Sequence, residues 1–178
     1  MFVYNNANSV HWKKQSSFIK ELTMDTINIL FCGTGGQGIL TAAEIVGLAA
    51  MYDGHHVKKS EVHGMAQRGG SVESHLRFGK EVFSPIIECG KADFLLSFEK
   101  GEHERMKFML KKDGIDLFED FVKGQEKITN PKFLNTYMLG VLSKHLGISQ
   151  ESWQKALKAV IKPQFVEKNI EVFNEATK

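Results

Sequence analysis

Cysteine is scarce. The chain of 178 residues has two, Cys32 and Cys89, far apart in sequence. That excludes a disulfide framework and a paired-cysteine metal knuckle. It also leaves too few thiolates for an iron–sulfur cluster, which normally takes four. Such usage fits a reducing, cytoplasmic setting. Excess charge of one sign is missing too: 23 Lys and Arg against 21 Asp and Glu leave a net +2. No strongly basic face is implied, so nucleic acid is not an expected partner. No apolar run approaches the roughly 20 residues needed to cross a bilayer, so no membrane partner is expected. Residues 1–25 lack a continuous apolar stretch and do not read as a secretory signal. There is no G-x-S-x-G elbow and no sign of a Ser–His–acid triad.

What is present is ordinary for a globular domain: 42% hydrophobic and 25% charged residues. A chain of this length can bury roughly 70% of its unfolded surface, so a real core is available. Residues 1–25 differ from the rest; they are polar, with isolated aromatics at Phe2, Tyr4, Trp12 and Phe18. They are expected to be a flexible extension, or the product of an upstream start codon. The competing reading is a helix from Ser9 to Leu22 that docks on the domain. The structured domain is expected over residues 26–178.

Ile27–Cys32 (INILFC) is a short apolar run that reads as a buried strand. A glycine cluster, Gly33-Thr34-Gly35-Gly36-Gln37-Gly38, follows at once, and then Ile39–Tyr52, apolar on nearly every face except at Thr41 and Glu44. A helix this apolar is buried on most sides. Asp53-Gly54 ends it, with glycine at C′. His56–Val62 is the expected second strand, and Val72–Phe78 alternates as a half-buried strand does. Val82–Ile87, broken by Pro85, reads as an edge strand or as irregular. Ala92–Phe98 is another buried strand, and Glu99–Leu110 a helix. Ile115–Val122 reads either as a strand or as a short helix. Phe133–Leu146 has helix spacing. Ser149 is a candidate N-cap for a further helix that Pro163 terminates, and a last helix carries Val166, Ile170 and Phe173. The alternation of strands and helices predicts an α/β fold: three-layer, Rossmann-like, a mostly parallel sheet with some mixed strands, and a helical C-terminal tail.

Gly33, Gly35 and Gly38 match G-x-G-x-x-G directly after a strand and before a helix, the context that motif demands. On that pattern Gly33 permits the tight turn, Gly35 lets a phosphate approach the backbone, and Gly38 lets helix and strand pack closely. The helix N-terminus would add N–H groups and partial positive charge for an anion. The loop is not a P-loop, because Ile39 stands where a lysine would be. Three readings stay open: a structural turn, an NAD site, or another phosphate or backbone contact. Glu61 is placed about where a ribose-binding acid would be. Against NAD stand the extra Gly36 and the Gln37 amide, and a second glycine loop, Gln67-Arg68-Gly69-Gly70-Ser71.

That second loop gathers Ser60, Glu61, His63, Gln67, Arg68 and Ser71 with three glycines in twelve residues, Ser60–Ser71. Arg68 could pair with a phosphate or carboxylate, and the adjacent glycines would let N–H groups join. The plain alternative is a surface loop in which Arg68 and Glu61 pair with each other. His55, His56, Glu61 and His63 do not form a familiar zinc spacing, so no metal site is expected. Cys32 reads as a small buried hydrophobe rather than a nucleophile.

Together, GTGGQGILTAAEIVGLAA, SEVHGMAQRGGSVESHLRFG and FSPIIECGKADFLLSFE resemble the small, gamma-type subunit of the 2-oxoacid:ferredoxin oxidoreductases, the pyruvate/ketoisovalerate oxidoreductase family. The SEVHGMAQRGGSV run resembles the indolepyruvate ferredoxin oxidoreductase beta subunits in particular. The resemblance is close over Ile27–Phe98 and weaker around NTYMLGVLSK and VEKNIEVFNEA. The stretch from Leu110 to Pro131 looks shorter than in the family. The resemblance implies a non-catalytic subunit supporting oxidative decarboxylation of an aryl 2-oxoacid to an acyl-CoA, with electrons passing to ferredoxin. Thiamine diphosphate, magnesium and iron–sulfur clusters would sit on a large thiamine- and ferredoxin-domain partner, and a heterotetramer would add self-association of the small subunit. The implied cofactor here is coenzyme A at a shared site, held by Gly33, Gly35, Gly36, Gln37, Gly38, Arg68, Gly69 and Gly70. Glu61, His63, Gln67 and Ser71 would make subunit-interface or polar contacts. No catalytic residue is expected on this chain. Alternatives are a stand-alone NAD(P)-binding oxidoreductase and a degenerate interaction module.

Overall fold

The computed structural model describes residues 26–64 and 69–178. Strand β1 (Ile27–Thr34) is the centre of the sheet. Its alternate residues Ile29 and Phe31 point to one face and Leu30 and Cys32 to the other, and all four are fully buried. A strand covered on both faces must be apolar throughout, which is why INILFC lacks alternation. Helix α1 (Ile39–Tyr52) crosses from β1 to β2 (His56–His63). A hairpin then returns as β3 (Ser71–Gly79), followed by β4 (Ala92–Ser97) and β5 (Leu110–Asp116).

The sheet order is β2-β3-β1-β4-β5. β1 pairs in parallel with β4, and β4 with β5, whereas β3 is antiparallel to both β1 and β2. Four strands therefore run one way and β3 alone is reversed. The short β2–β3 connection dictates this, because parallel neighbours need a crossover of a dozen or more residues.

The two faces are unequal. The first is covered by α1, α3 (Phe118–Lys127), α4 (Leu134–Ser143), α5 (Gln150–Val160) and α6 (Pro163–Ala176). Helix α1 lies between the sheet and α5, which accounts for its all-round apolarity. At Gly47 it approaches the sheet closely: a Cβ there would stand 3.3 Å from Leu76 Cδ1. Asp53 caps α1, and Gly54 (φ 89°) follows at C′. The Asp53 carboxylate also accepts from Ser149 N (3.0 Å) and Ser152 Oγ (2.9 Å), tying α1 to the start of α5. These bonds hold its carboxyl below the usual range. Ser149 is the N-cap expected of it.

Among the described residues, the second face carries only α2 (Lys100–Met106), a 3-10 turn (Lys107–Met109) and the irregular segment 80–91. Its apolar cluster is small: Leu30, Cys32, Ile87, Ala92, Leu95, Met106 and Met109. Val82–Ile87 forms no strand, although both end residues are buried. Pro85 removes a ladder donor, and this segment bonds instead to histidine side chains. His56 Nδ1 accepts from Val82 N (3.0 Å) and His75 Nδ1 from Ile87 N (3.2 Å).

Three expectations change. The helix expected over Glu99–Leu110 is one short helix and a 3-10 turn, because Leu110 already begins β5. The ambiguous 115–122 segment divides between β5 and helix α3 (Phe118–Lys127). Pro163 has a second duty: α5 stops at Val160, just before it, and Pro163 itself opens α6, where its missing N–H leaves no orphan donor.

Candidate functional site

The strand–glycine–helix unit has the expected form, with different duties for its glycines. The turn is made at Gly36 (φ 99°) and Gly38 (φ 75°), the left-handed conformations glycine tolerates. Gly33 lies within β1 and serves close packing: a Cβ there would fall 2.6 Å from Gln37 Oε1 and 2.7 Å from Ile39 Cδ1. The Gln37 amide does not face outward. Its Oε1 accepts from Thr34 N (2.8 Å) and its Nε2 donates to Phe98 O (2.8 Å), bracing the loop from within. Asn135 at the start of α4 adds a second brace, Nδ2 donating to Gln37 O at 2.7 Å. A Cβ at Gly38 would collide with that Asn135 amide.

The two glycine loops meet. Gly35 N donates to Gly70 O (2.9 Å), and a Cβ on Gly35 would lie 3.5 Å from Gly69 N. The neighbour of Gly35 in this structure is thus the second loop. Gly64 N donates to Ser71 O (2.8 Å), closing the base of that loop. A cleft of about 380 Å³ lies between Gly36, Gly38 and Ile39–Thr41 on one side and Gly64, Gly70 and Ser71 on the other. Helix α1 opens on this cleft with no side-chain cap and no acidic residue in its first turn. The backbone N–H groups of a first turn lack intrahelical partners and carry partial positive charge, so an anion is favoured there. A second cleft, about 450 Å³, lies across the same loop, lined by Phe98, Phe121, Gln125, Lys132 and Asn135 besides Gly36–Gly38.

Ser71, one of the residues expected to make subunit-interface or polar contacts, lies in a partly exposed polar network on the second face. Its Oγ donates to Glu102 Oε2 (2.7 Å) and accepts from Arg105 Nη2 (2.6 Å). Arg105 Nη2 also reaches Glu73 Oε1 (2.7 Å) and Glu102 Oε2 (2.6 Å). Nearby, Cys32 is buried beside Ser97 Oγ (3.1 Å), and burial pushes its thiol up to about 12. It is a protonated core residue at neutral pH, not a nucleophile.

Other candidates are dispersed. Glu61 pairs with Lys59 (2.8 Å) on β2. Since β3 separates β2 from β1, Glu61 does not stand on the strand beside the glycine loop, where a dinucleotide fold places its ribose acid. His63 is opposite Val72 in the ladder. Gln67 and Arg68 lie outside the described residues, as do residues 1–25. Among the described residues no group of three or more His, Cys, Asp or Glu side chains could hold a metal ion, and no helix is long and apolar enough to cross a membrane. Sequence reasoning missed Asn135, Glu102 and Arg105. The only local signal for the last two is their spacing of three on one helix face.

Comparison with known proteins decides the family. The pyruvate ferredoxin/flavodoxin oxidoreductase family matches residues 28–121 and 116–178. The chain belongs to that family. It is 32% identical to indolepyruvate oxidoreductase subunit IorB of Pyrococcus horikoshii, over 87% of this chain and 96% of the relative. It is 50% identical to the IorB of Thermococcus kodakarensis over 92 residues, 52% of this chain and 46% of that relative. The fold matches 2-oxoglutarate:ferredoxin oxidoreductase from Magnetococcus marinus, solved with 2-oxoglutarate, coenzyme A and succinyl-CoA bound. That match has a TM-score of 0.72 and 16% identity, over 86% of this chain and 30% of the other. The relatives are small subunits of 2-oxoacid oxidoreductases, and this chain is a member of their kind. The two family matches meet at residues 116–121, where β5 passes into α3. The Pyrococcus alignment runs to 194 positions, longer than this chain, so the relative carries residues that are missing here.

Proposed function

We propose that the chain is the small subunit of an indolepyruvate-type 2-oxoacid:ferredoxin oxidoreductase, and that its joined glycine loops hold the phosphates of coenzyme A. The observation that carries this reading is the Gly35–Gly70 hydrogen bond (2.9 Å), which brings both loops to one cleft at the uncapped end of α1. The cleft suits a phosphate group: glycines and small polar residues make up much of its lining, the first turn of α1 with its uncapped N–H groups borders it, and no acidic side chain opposes it in that turn. Coenzyme A supplies the thiol that accepts the acyl group. The chain's own work is positioning, which lowers the entropic cost of bringing that thiol to the reacting carbon. Arg68, as a charged contact to a phosphate, and Gln67, as a polar one, belong to this proposal.

The oxidation belongs to a large partner carrying thiamine diphosphate and iron–sulfur clusters, with ferredoxin as acceptor. The names of the relatives, each a subunit of an oxidoreductase, support a partner subunit. The two free cysteines suit the cytoplasm.

Thr41 offers the test. It is exposed, lines the cleft and occupies the first turn of α1. A glutamate there favours the helix but repels a bound phosphate. In the reconstituted complex, Thr41→Glu should raise KM for coenzyme A about tenfold while the melting temperature holds or rises. An unchanged KM with intact assembly would refute the coenzyme role.

A further inference from the structure

The cleft is shaped from below by residues that do not line it. Arg105 sits on α2, on the opposite side of the sheet edge from the helix that opens the cleft. Its Nη2 lies within 2.7 Å of Ser71 Oγ, Glu73 Oε1 and Glu102 Oε2, and its Nε is 3.0 Å from Glu102 Oε2. Glu73 and Glu102 are largely buried, with side-chain exposures of 16% and 14%. Helix α2 is itself fixed, because Glu99 caps it by accepting from Glu102 N (2.8 Å). Arg105 thus joins two elements at three points: α2 at Glu102, the body of β3 at Glu73, and the first residue of β3 at Ser71.

Ser71 is where this matters. Its carbonyl receives Gly64 N, its side chain receives Arg105, and the preceding residue, Gly70, receives Gly35 N. The backbone on either side of the second loop is therefore set at one residue, and that residue's side chain is held from the second face. Glycines have wide conformational freedom, so a loop made of them keeps a shape only if its anchors are fixed. The hydrogen bonds to Glu102, foremost, push the Arg105 guanidinium above its ordinary range, so Arg105 is charged at neutral pH.

We infer that Arg105 is a positioning residue: acting through Ser71, it holds Gly70 against the first glycine loop and so sets the cleft. The inference deepens the coenzyme reading by naming what orders its site, and its clamp function can be measured without coenzyme. The test is site-resolved amide hydrogen exchange on the full chain, comparing wild type, Arg105→Ala and Ser71→Ala. Exchange at Gly35 and Gly64 should quicken at least tenfold in both variants, while amides of α4 and α6 keep their rates. Ser71→Ala retains the ion pairs on α2, so it remains informative if Arg105→Ala folds poorly. Unchanged exchange at Gly35 and Gly64 in both variants would overturn the inference, as would equal quickening throughout the chain. In the reconstituted complex, Arg105→Ala should also raise KM for coenzyme A several-fold and leave kcat within twofold. If exchange quickens at the two glycines but KM does not move, the clamp stands and the coenzyme reading falls.

Discussion

The two faces of the sheet do different work. On the first, five helices bury one large apolar cluster that includes Trp153 against Phe173 (ring centroids 5.2 Å apart) and Phe98 edge-on to Phe121 (5.7 Å). On the second, a helix of seven residues and an irregular segment cover a small cluster and a charged network. Burial of apolar area drives folding in proportion to that area, so stability should be concentrated on the first face. The second face makes little core and instead fixes the geometry of the loops above it. A side-chain network can specify a shape while adding little net stability, because partly exposed ion pairs are weak. The lesson is that the scaffold and the site's alignment are supplied by opposite sides of one sheet.

The largest expected effect would break this contrast if absent. Trp153 is 1% exposed, and Trp153→Ala should cost about 3–5 kcal/mol in urea unfolding. A loss below about 1 kcal/mol, the scale of a surface contact, would mean that the first face does not dominate stability. A smaller effect sharpens the contrast within the second face. Cys89 is exposed whereas Cys32 is buried with its thiol pushed up to about 12. At pH 8 a thiol reagent should modify one cysteine in the folded chain and two after denaturation, since only a thiolate reacts. Rapid modification of Cys32 in the folded chain would show that the cover provided by α2 opens readily.

Much of this was legible in the sequence where the signal is local. INILFC, the glycine cluster and Ile39–Tyr52 each carry their own period and punctuation, and the structure keeps their order. Ser149 followed by an apolar stripe announced α5. Strand β5 was not legible, because LKKDGID has only Leu110 and Ile115 to bury and its ladder is irregular between Ala92 and Phe94. An edge strand tolerates such polarity, which hides it from periodicity. The inward turn of the Gln37 amide was equally hidden, since its partner Phe98 lies 61 residues away. The Arg105 clamp joins residues 34 apart across two elements, and no spacing rule reaches that far. The meeting of the glycine loops depends on β3 inserting between β2 and β1, a choice of topology rather than of residue pattern.

The central claim is that coenzyme A is held where the two glycine loops join. Amide exchange of the assembled complex, with and without coenzyme A, tests it most directly. Binding should slow exchange at Ile39–Thr41 and at Gly70 more than anywhere else on this chain. A complex that binds the coenzyme tightly while those amides exchange at unchanged rates would contradict it.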